Sequence, residues 1–337
     1  MGKYKNSLNE IVNELKIDKG NFLITGATGL IGSSIIDLLL AANEKGSKFT
    51  IFAMSRSMEK IKKRFGNSVI PIVQDITESI DNVNKYDYII HCASNADPKS
   101  YVVFPVETIL TNIVGSRNIL EYCKKHTFTR LVFTSTFEVY GLIDGVSVYK
   151  ENMSGIIDQT VLRNGYPESK RSCELLLRSY VNEYGINAVI VRLPSVYGPT
   201  MTETDTKAHA QFIRNAINNE DIVLKSAGTQ KRTYCYVLDA VRGIFKVLLD
   251  GIKGEIYNIS NENSIVSIAD VAKMCAKIAG TKVVFDIAEE QEQKGYSYPM
   301  DCILDNTKLK KTGWNAKFSL EQGMYETITE LSNTRSE

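Results

Sequence analysis

A short apolar run, residues 21–25 (NFLIT), leads straight into Gly26-Ala27-Thr28-Gly29-Leu30-Ile31-Gly32. This junction constrains the fold more than any other stretch of the chain. Gly26 permits a tight turn, Gly29 lets backbone approach a pyrophosphate closely, and Gly32 allows a helix to pack close to a strand. The helix that follows, read over residues 32–42, presents free N–H groups and its positive dipole end to phosphate. A glycine triplet alone is a weak signal. A strand before it and a helix after it give it weight, and they make Thr28, Leu30 and Ile31 candidate contacts as well.

The rhythm downstream sets the architecture. Strands are predicted at 21–25, 49–54, 68–73, 88–91, 130–134 and 188–193, with helices at 32–42, 58–65, 106–125 and 169–184. Continuous apolar strands alternating with helices imply an α/β fold, a Rossmann-type doubly wound parallel sheet covered on both faces. After Pro194 polar stretches at 200–207 and 218–221 interrupt shorter elements, with helices predicted at 265–279 and 320–331. The organisation predicted is an N-terminal amphipathic helix within 1–20 (Leu8, Ile11, Val12 and Leu15 on one stripe) and a dinucleotide-binding domain of 21–193 plus about 231–262. A smaller C-terminal substrate-binding lobe takes about 194–230 plus 263–337. Ligands of such sheets bind at the carboxyl ends of the strands, where the lobe would close over them.

Composition narrows the function. Forty Lys and Arg balance 39 Asp and Glu, a net charge of +1, which argues against an electrostatic nucleic-acid binder. The longest apolar stretches fall short of a membrane span. Six cysteines (92, 123, 173, 235, 275 and 302) form no CxxC pair, which suits reduced thiols in a cytoplasmic protein. Three histidines without an HExxH pattern give no metal site. Met1-Gly2 is not a myristoylation start, because position 6 is Asn.

The second strand ends Met54-Ser55-Arg56. An NAD site usually carries an acid there, whereas a serine hydroxyl and a guanidinium suit a 2′-phosphate, a slight preference for NADP over NAD. Further on, Tyr166 and Lys170 stand four apart at the head of a helical run and share one helix face. A tyrosine with a pKa of about 10 needs a nearby cation to act as a base, and Lys170 can supply it while holding the cofactor ribose. The fifth strand ends in hydroxyl residues, Ser135-Thr136, where a strand's carboxyl end meets the expected site.

These motifs come in one order: the glycine turn, His91-Cys92-Ala93-Ser94, Asn112 in TNIVGSRNILE, Ser135-Thr136-Phe137-Glu138-Val139-Tyr140-Gly141, Tyr166 with Lys170, the 192–199 segment RLPSVYGP, and the 230–239 segment QKRTYCYVLD. Together they resemble the extended short-chain dehydrogenase/reductase family, specifically its nucleotide-sugar epimerase/dehydratase branch, over about 22–331. The resemblance implies that Tyr166 is the catalytic acid/base, Lys170 its electrostatic partner and ribose ligand, and Thr136 the hydroxyl bonding the sugar oxygen. It implies Asp75 and Ile76 beside adenine, Ala93 and Ser94 along the ribose and pyrophosphate, and Asn112, Pro194 and Val196 at the cofactor. Ser135, Ser195 and Arg232 would touch substrate, Arg232 through its diphosphate.

The resemblance also implies the chemistry: transient oxidation of the sugar, usually at C4, with proton transfer to Tyr166 and hydride transfer to nicotinamide. Dehydratases of the dTDP-glucose type carry Asp-Glu after the hydroxyl residue. Here Phe137-Glu138 keeps the base position and loses the acid. GDP-mannose dehydratases and UDP-glucuronate decarboxylases carry Ser-Glu, which makes Glu138 compatible with both. The 91–112 segment is similar to the decarboxylases, yet residues 301–310 contain no arginine, and Ser195 replaces the family's Asn. Beside an epimerase or dehydratase stand a UDP-glucuronate decarboxylase, an NADPH-dependent 4-keto-sugar reductase favoured by Arg56, and a non-catalytic cofactor-binding regulatory protein. Family members pair two helices into a homodimer. Here these would be 106–125, with Leu110, Ile113 and Leu120, and 169–184, with Leu175, Leu176 and Leu177.

Overall fold

The computed structural model describes residues 2–80, 84–287 and 301–336. The chain opens with α1 (Lys3–Val12) and then alternates β1 (Lys19–Thr25), α2 (Leu30–Glu44), β2 (Lys48–Ser55), α3 (Met58–Phe65), β3 (Ile70–Val73), β4 (Tyr88–His91), α4 (Pro98–Val103), α5 (Pro105–Lys125) and β5 (Arg130–Thr136). Beyond come β6 (Val148–Tyr149), α6 (Gly165–Tyr184), β7 (Ala188–Leu193), β8 (Ser195–Tyr197), α7 (Ala208–Ile217), β9 (Ile222–Leu224) and β10 (Lys231–Tyr236). The C-terminal third holds α8 (Val237–Asp250), β11 (Ile256–Asn258), β12 (Ile265–Ser267), α9 (Ile268–Ala279), β13 (Val283–Phe285), β14 (Ile303–Leu304) and a closing helix, Leu320–Ser336.

Seven strands form one sheet in the order β11-β7-β5-β4-β1-β2-β3, every neighbouring pair parallel. From β1 the chain lays β2 and β3 on one side, then returns to lay β4 on the other. The winding therefore reverses between β1 and β4 and opens a crevice at their carboxyl ends. Successive strand residues face opposite ways. Phe22 and Ile24 pack with α1, α2 and α8, while Leu23 packs with α5 and α6. Burial on both faces is why these strands read as unbroken apolar runs.

Several boundaries depart from the sequence reading. The stretch 265–279 is not one helix: 265–267 pair antiparallel with β10, and Ser267 then opens α9 through a capping box with Asp270. α6 begins at Gly165, so Tyr166 lies in its first turn. The predicted 231–262 unit divides, with β10 in a three-stranded sheet beside β8 and β12 and β11 at the edge of the main sheet. Residues 288–300 of the predicted lobe lie outside the described residues. α1 buries Leu8, Ile11 and Val12 together with Tyr4, and Leu15 packs just beyond its end. All six cysteines are free thiols. Among the described residues no helix is long and apolar enough to cross a membrane.

Candidate active site

The glycine turn lies at the crevice. Gly26 has φ +65°, the left-handed region, and a Cβ there would stand 2.8 Å from the Ala93 nitrogen. Glycine is thus required twice over, by conformation and by the approach of the segment after β4. A Cβ on Gly32 would meet the Gly26 carbonyl at 2.3 Å, so helix and turn pack in contact. At Gly29 the nearest atom is Gly26 O at 3.4 Å. The space above the N-terminus of α2 is open, a cradle that fits a pyrophosphate. Thr28, Leu30 and Ile31 line the same turn, each half-buried.

The rim beside it joins the ends of β2 and β3. The Ser55 and Thr28 hydroxyls share a hydrogen bond of 3.2 Å. Arg56 projects into solvent, its guanidinium 3.9 Å from Asp75. Asp75 Oδ1 accepts bonds from the Thr77 amide at 2.9 Å and the Thr77 hydroxyl at 2.7 Å, and these bonds hold its carboxyl below the ordinary range. Ile76 is buried against Gly115 of α5.

Across the crevice, Thr25 Oγ1 accepts from the amides of Cys92 (3.1 Å) and Ala93 (3.0 Å) and lies 2.7 Å from His91 Nδ1. His91 is buried, and burial pushes its imidazole down to about 3. Ser94 donates to Asn112 Oδ1 at 2.7 Å, and Asn112 Nδ2 donates to Ser169 at 2.9 Å. Ser169 in turn donates to the Tyr166 carbonyl. The Asn112 side chain is buried and committed to this chain of bonds. It ties the segment after β4 to the first turn of α6, and it meets neither solvent nor open crevice. Pro194 and Val196 are buried where β7 runs into β8, and Ser195 between them is half-buried.

Thr136 ends β5, and its hydroxyl accepts the Glu138 amide at 3.3 Å, capping the short helix Phe137–Tyr140. The Tyr166 hydroxyl faces those of Thr136 and Tyr101, and both favour its ionised form. The Tyr101 and Tyr166 rings stack at 4.2 Å with planes 7° apart. Burial pushes the Tyr166 phenol well above its ordinary value, and the Glu138 carboxylate adds to that. The two hydroxyls and the Arg163 guanidinium pull it back. Lys170 is buried, its Nζ donating to the Thr134 carbonyl at 3.0 Å, and burial lowers its pKa. Glu138 is paired with Arg163 at 3.1 Å.

One substrate candidate falls elsewhere. Ser135 precedes Thr136 on a strand, so its side chain points to the opposite face. Its hydroxyl donates to Glu174 at 2.5 Å, and Glu174 takes a two-pronged pair from Arg192 at 3.0 and 2.6 Å. Ser135 therefore supports a buried ion pair and does not stand beside the Thr136 hydroxyl. Arg232 is buried on β10, its guanidinium 5.4 Å from the Phe137 ring centroid, next to the turn that carries Glu138. Tyr101 and Arg163 belong to the cluster without a motif to announce them. The one available signal was Asp97-Pro98, a helix start that places Tyr101 one turn on.

The sheet order, the reversal between β1 and β4 and the glycine turn at that point define a Rossmann-type α/β protein. Residues 22–260 match the NAD dependent epimerase/dehydratase family. The chain belongs to that family of enzymes. It is 32% identical over 307 residues to UDP-glucuronic acid decarboxylase 6 of Arabidopsis thaliana, covering 90% of this chain and 86% of that one. It is 29% identical to UDP-glucuronic acid decarboxylase 1 of Xenopus tropicalis, covering 92% and 72%. The solved UDP-glucose 4-epimerase of Thermotoga maritima, crystallised with UDP-glucose, superposes with a TM-score of 0.80 at 25% identity, over 94% of this chain and 99% of that one. A dTDP-glucose 4,6-dehydratase of Bacillus anthracis shares the fold, with a TM-score of 0.78 at 21% identity over 94% and 97%.

Proposed function

We propose that the chain acts on a nucleotide sugar by transient oxidation at C4, as an epimerase or dehydratase that regenerates its cofactor within one cycle. The observation that carries this reading is Tyr166 in the first turn of α6 with its phenol beside Thr136 at the end of β5, and Lys170 buried one helical turn on. Gly26, Gly29 and Gly32, with Thr28, Leu30, Ile31, Ala93 and Ser94, would hold the dinucleotide, and Asp75 and Ile76 its adenine. When bound, it supplies a reversible hydride acceptor.

Tyr166 takes the proton of the sugar hydroxyl while Thr136 bonds and orients the same oxygen. Lys170 would hold the cofactor ribose. Arg232 and Ser195 would face the substrate. Glu138, paired with Arg163, would move a proton at the carbon beside the transient ketone. The exposed Arg56 suits a 2′-phosphate, but the Asp75 carboxylate competes for it, so the preference for NADP is slight.

A second reading, decarboxylation of UDP-glucuronate, is supported by the names of the relatives at 32% identity and by Glu138. The missing arginine in 301–310 weighs against it. The domain limits read from the sequence remain our division of the chain. We also propose a homodimer through α5 and α6. Val106 and Leu110 on α5 and Leu175 on α6 are exposed, the last at 68%. Leu120 and Leu177 are core residues of this chain and give nothing to a partner, while Ile113 and Leu176 are partly buried.

The test is mass spectrometry after incubation with NAD+ or NADPH and a panel of UDP-, dTDP- and GDP-sugars. An isomer of equal mass, or loss of water or carbon dioxide, without net cofactor change supports the cycle and names its branch. Two added hydrogens with loss of NADPH would point to the reductase. No change with any sugar would contradict the reading.

A further inference from the structure

We propose that Tyr101 is a positioning residue for Tyr166: its ring covers one face of the catalytic phenol, and its hydroxyl joins that of Thr136 around the Tyr166 oxygen. The inference rests on the reading of Tyr166 as the acid/base. Both rings are buried and nearly parallel at 4.2 Å, which fixes the plane in which Tyr166 can lie. Of the two phenols Tyr101 is the one that keeps its proton, and its hydroxyl favours the ionised form of Tyr166. A phenolate buried among apolar groups is disfavoured, and each hydrogen bond donated to it offsets part of that cost. Arg163 acts in the same direction. Its guanidinium lies 5.7 Å from the Tyr101 ring centroid, and its charge favours the ionised form of both tyrosines.

Tyr101 is held in place from outside the main sheet. Asp97 caps α4 by accepting the Ser100 amide at 3.1 Å through one carboxylate oxygen. Its other oxygen accepts the Thr206 amide at 2.9 Å and the Thr206 hydroxyl at 2.5 Å. The Lys99 amide donates to the Thr206 oxygen at 3.2 Å. The turn carrying Tyr101 is thus bolted to the segment that precedes α7. The position of that segment is transmitted through α4 to the ring stacked on Tyr166.

The test places a fluorinated tyrosine, whose phenol is more acidic than tyrosine's, at position 166 of the full chain with NAD+ present. Fluorine NMR then follows its titration. Tyr101→Phe keeps the ring and removes only the hydroxyl. The midpoint is expected to rise by about one pH unit, a roughly tenfold loss of acidity. Asp97→Ala, which loosens α4 and leaves Tyr101 intact, is expected to raise it by less, and it carries the test if Tyr101→Phe does not fold. An unchanged midpoint in both variants would overturn the proposal. Turnover by Tyr166→Phe would instead overturn the acid/base reading, and it leaves the titration result standing.

Discussion

Gly29 and Gly32 lie three residues apart in one turn and do different work. A methyl group on Gly32 would press on the Gly26 carbonyl at 2.3 Å, a clash with backbone that no rotamer relieves. On Gly29 it would fit the fold but stand in the open cradle. Gly32→Ala is therefore expected to lower both thermal stability, by a few kcal/mol, and NAD affinity. Gly29→Ala is expected to keep the stability and lose the affinity. Thermal unfolding and calorimetric NAD titration of both variants check this, and equal effects at the two positions would contradict it. Thr136, Tyr166 and Lys170 were legible in the sequence because a strand end and a helix face determine where they point. Ser135 was misplaced, since adjacency to Thr136 in sequence means the opposite face of a strand. Tyr101 and Arg163 come from a short helix and an irregular segment, whose spacing says nothing about what they reach.

At the scale of elements, six strands of the main sheet were readable because each is an apolar run; five are covered on both faces, whereas β3 at the sheet edge is largely exposed. β11 has three residues and ends in the polar Asn258, too short to carry such a pattern. α8 escaped for a different reason. It carries an amphipathic stripe, with Arg242, Lys246 and Asp250 along one face, but it starts directly from the end of β10 with no capping side chain to mark its start. Residues 265–267 looked helical by continuity with α9, and pairing with β10 overrides that preference. α5 and α6 pack on each other and present Leu110 and Leu175 outward. A double variant, Leu110→Glu with Leu175→Glu, is expected to be a folded monomer by light scattering. An unchanged dimer mass would place the interface elsewhere.

The whole molecule buries two histidines in neutral form. Burial pushes His91 down to about 3, aided by the Lys170 charge, and His209 down to about 4 against the pull of Asp205. Unfolded histidines take up a proton below about pH 6.5. The unfolded chain then binds more protons than the folded one, so stability is whole above that pH and falls as the pH drops toward 4. His91 alone would account for a loss on the order of 3 kcal/mol by pH 4. Urea unfolding midpoints across this range are expected to decline in the parent and to decline less in His91→Gln. Parallel curves would contradict the assignment.

The proposed cycle turns on one proton acceptor, Tyr166. The most direct measurement uses a nucleotide sugar that the chain converts and compares turnover in the parent with Tyr166→Phe, with calorimetry of NAD binding on both. The variant is expected to bind NAD as the parent does and to have turnover reduced by several orders of magnitude. Turnover at the parent's rate in Tyr166→Phe would contradict the proposed cycle.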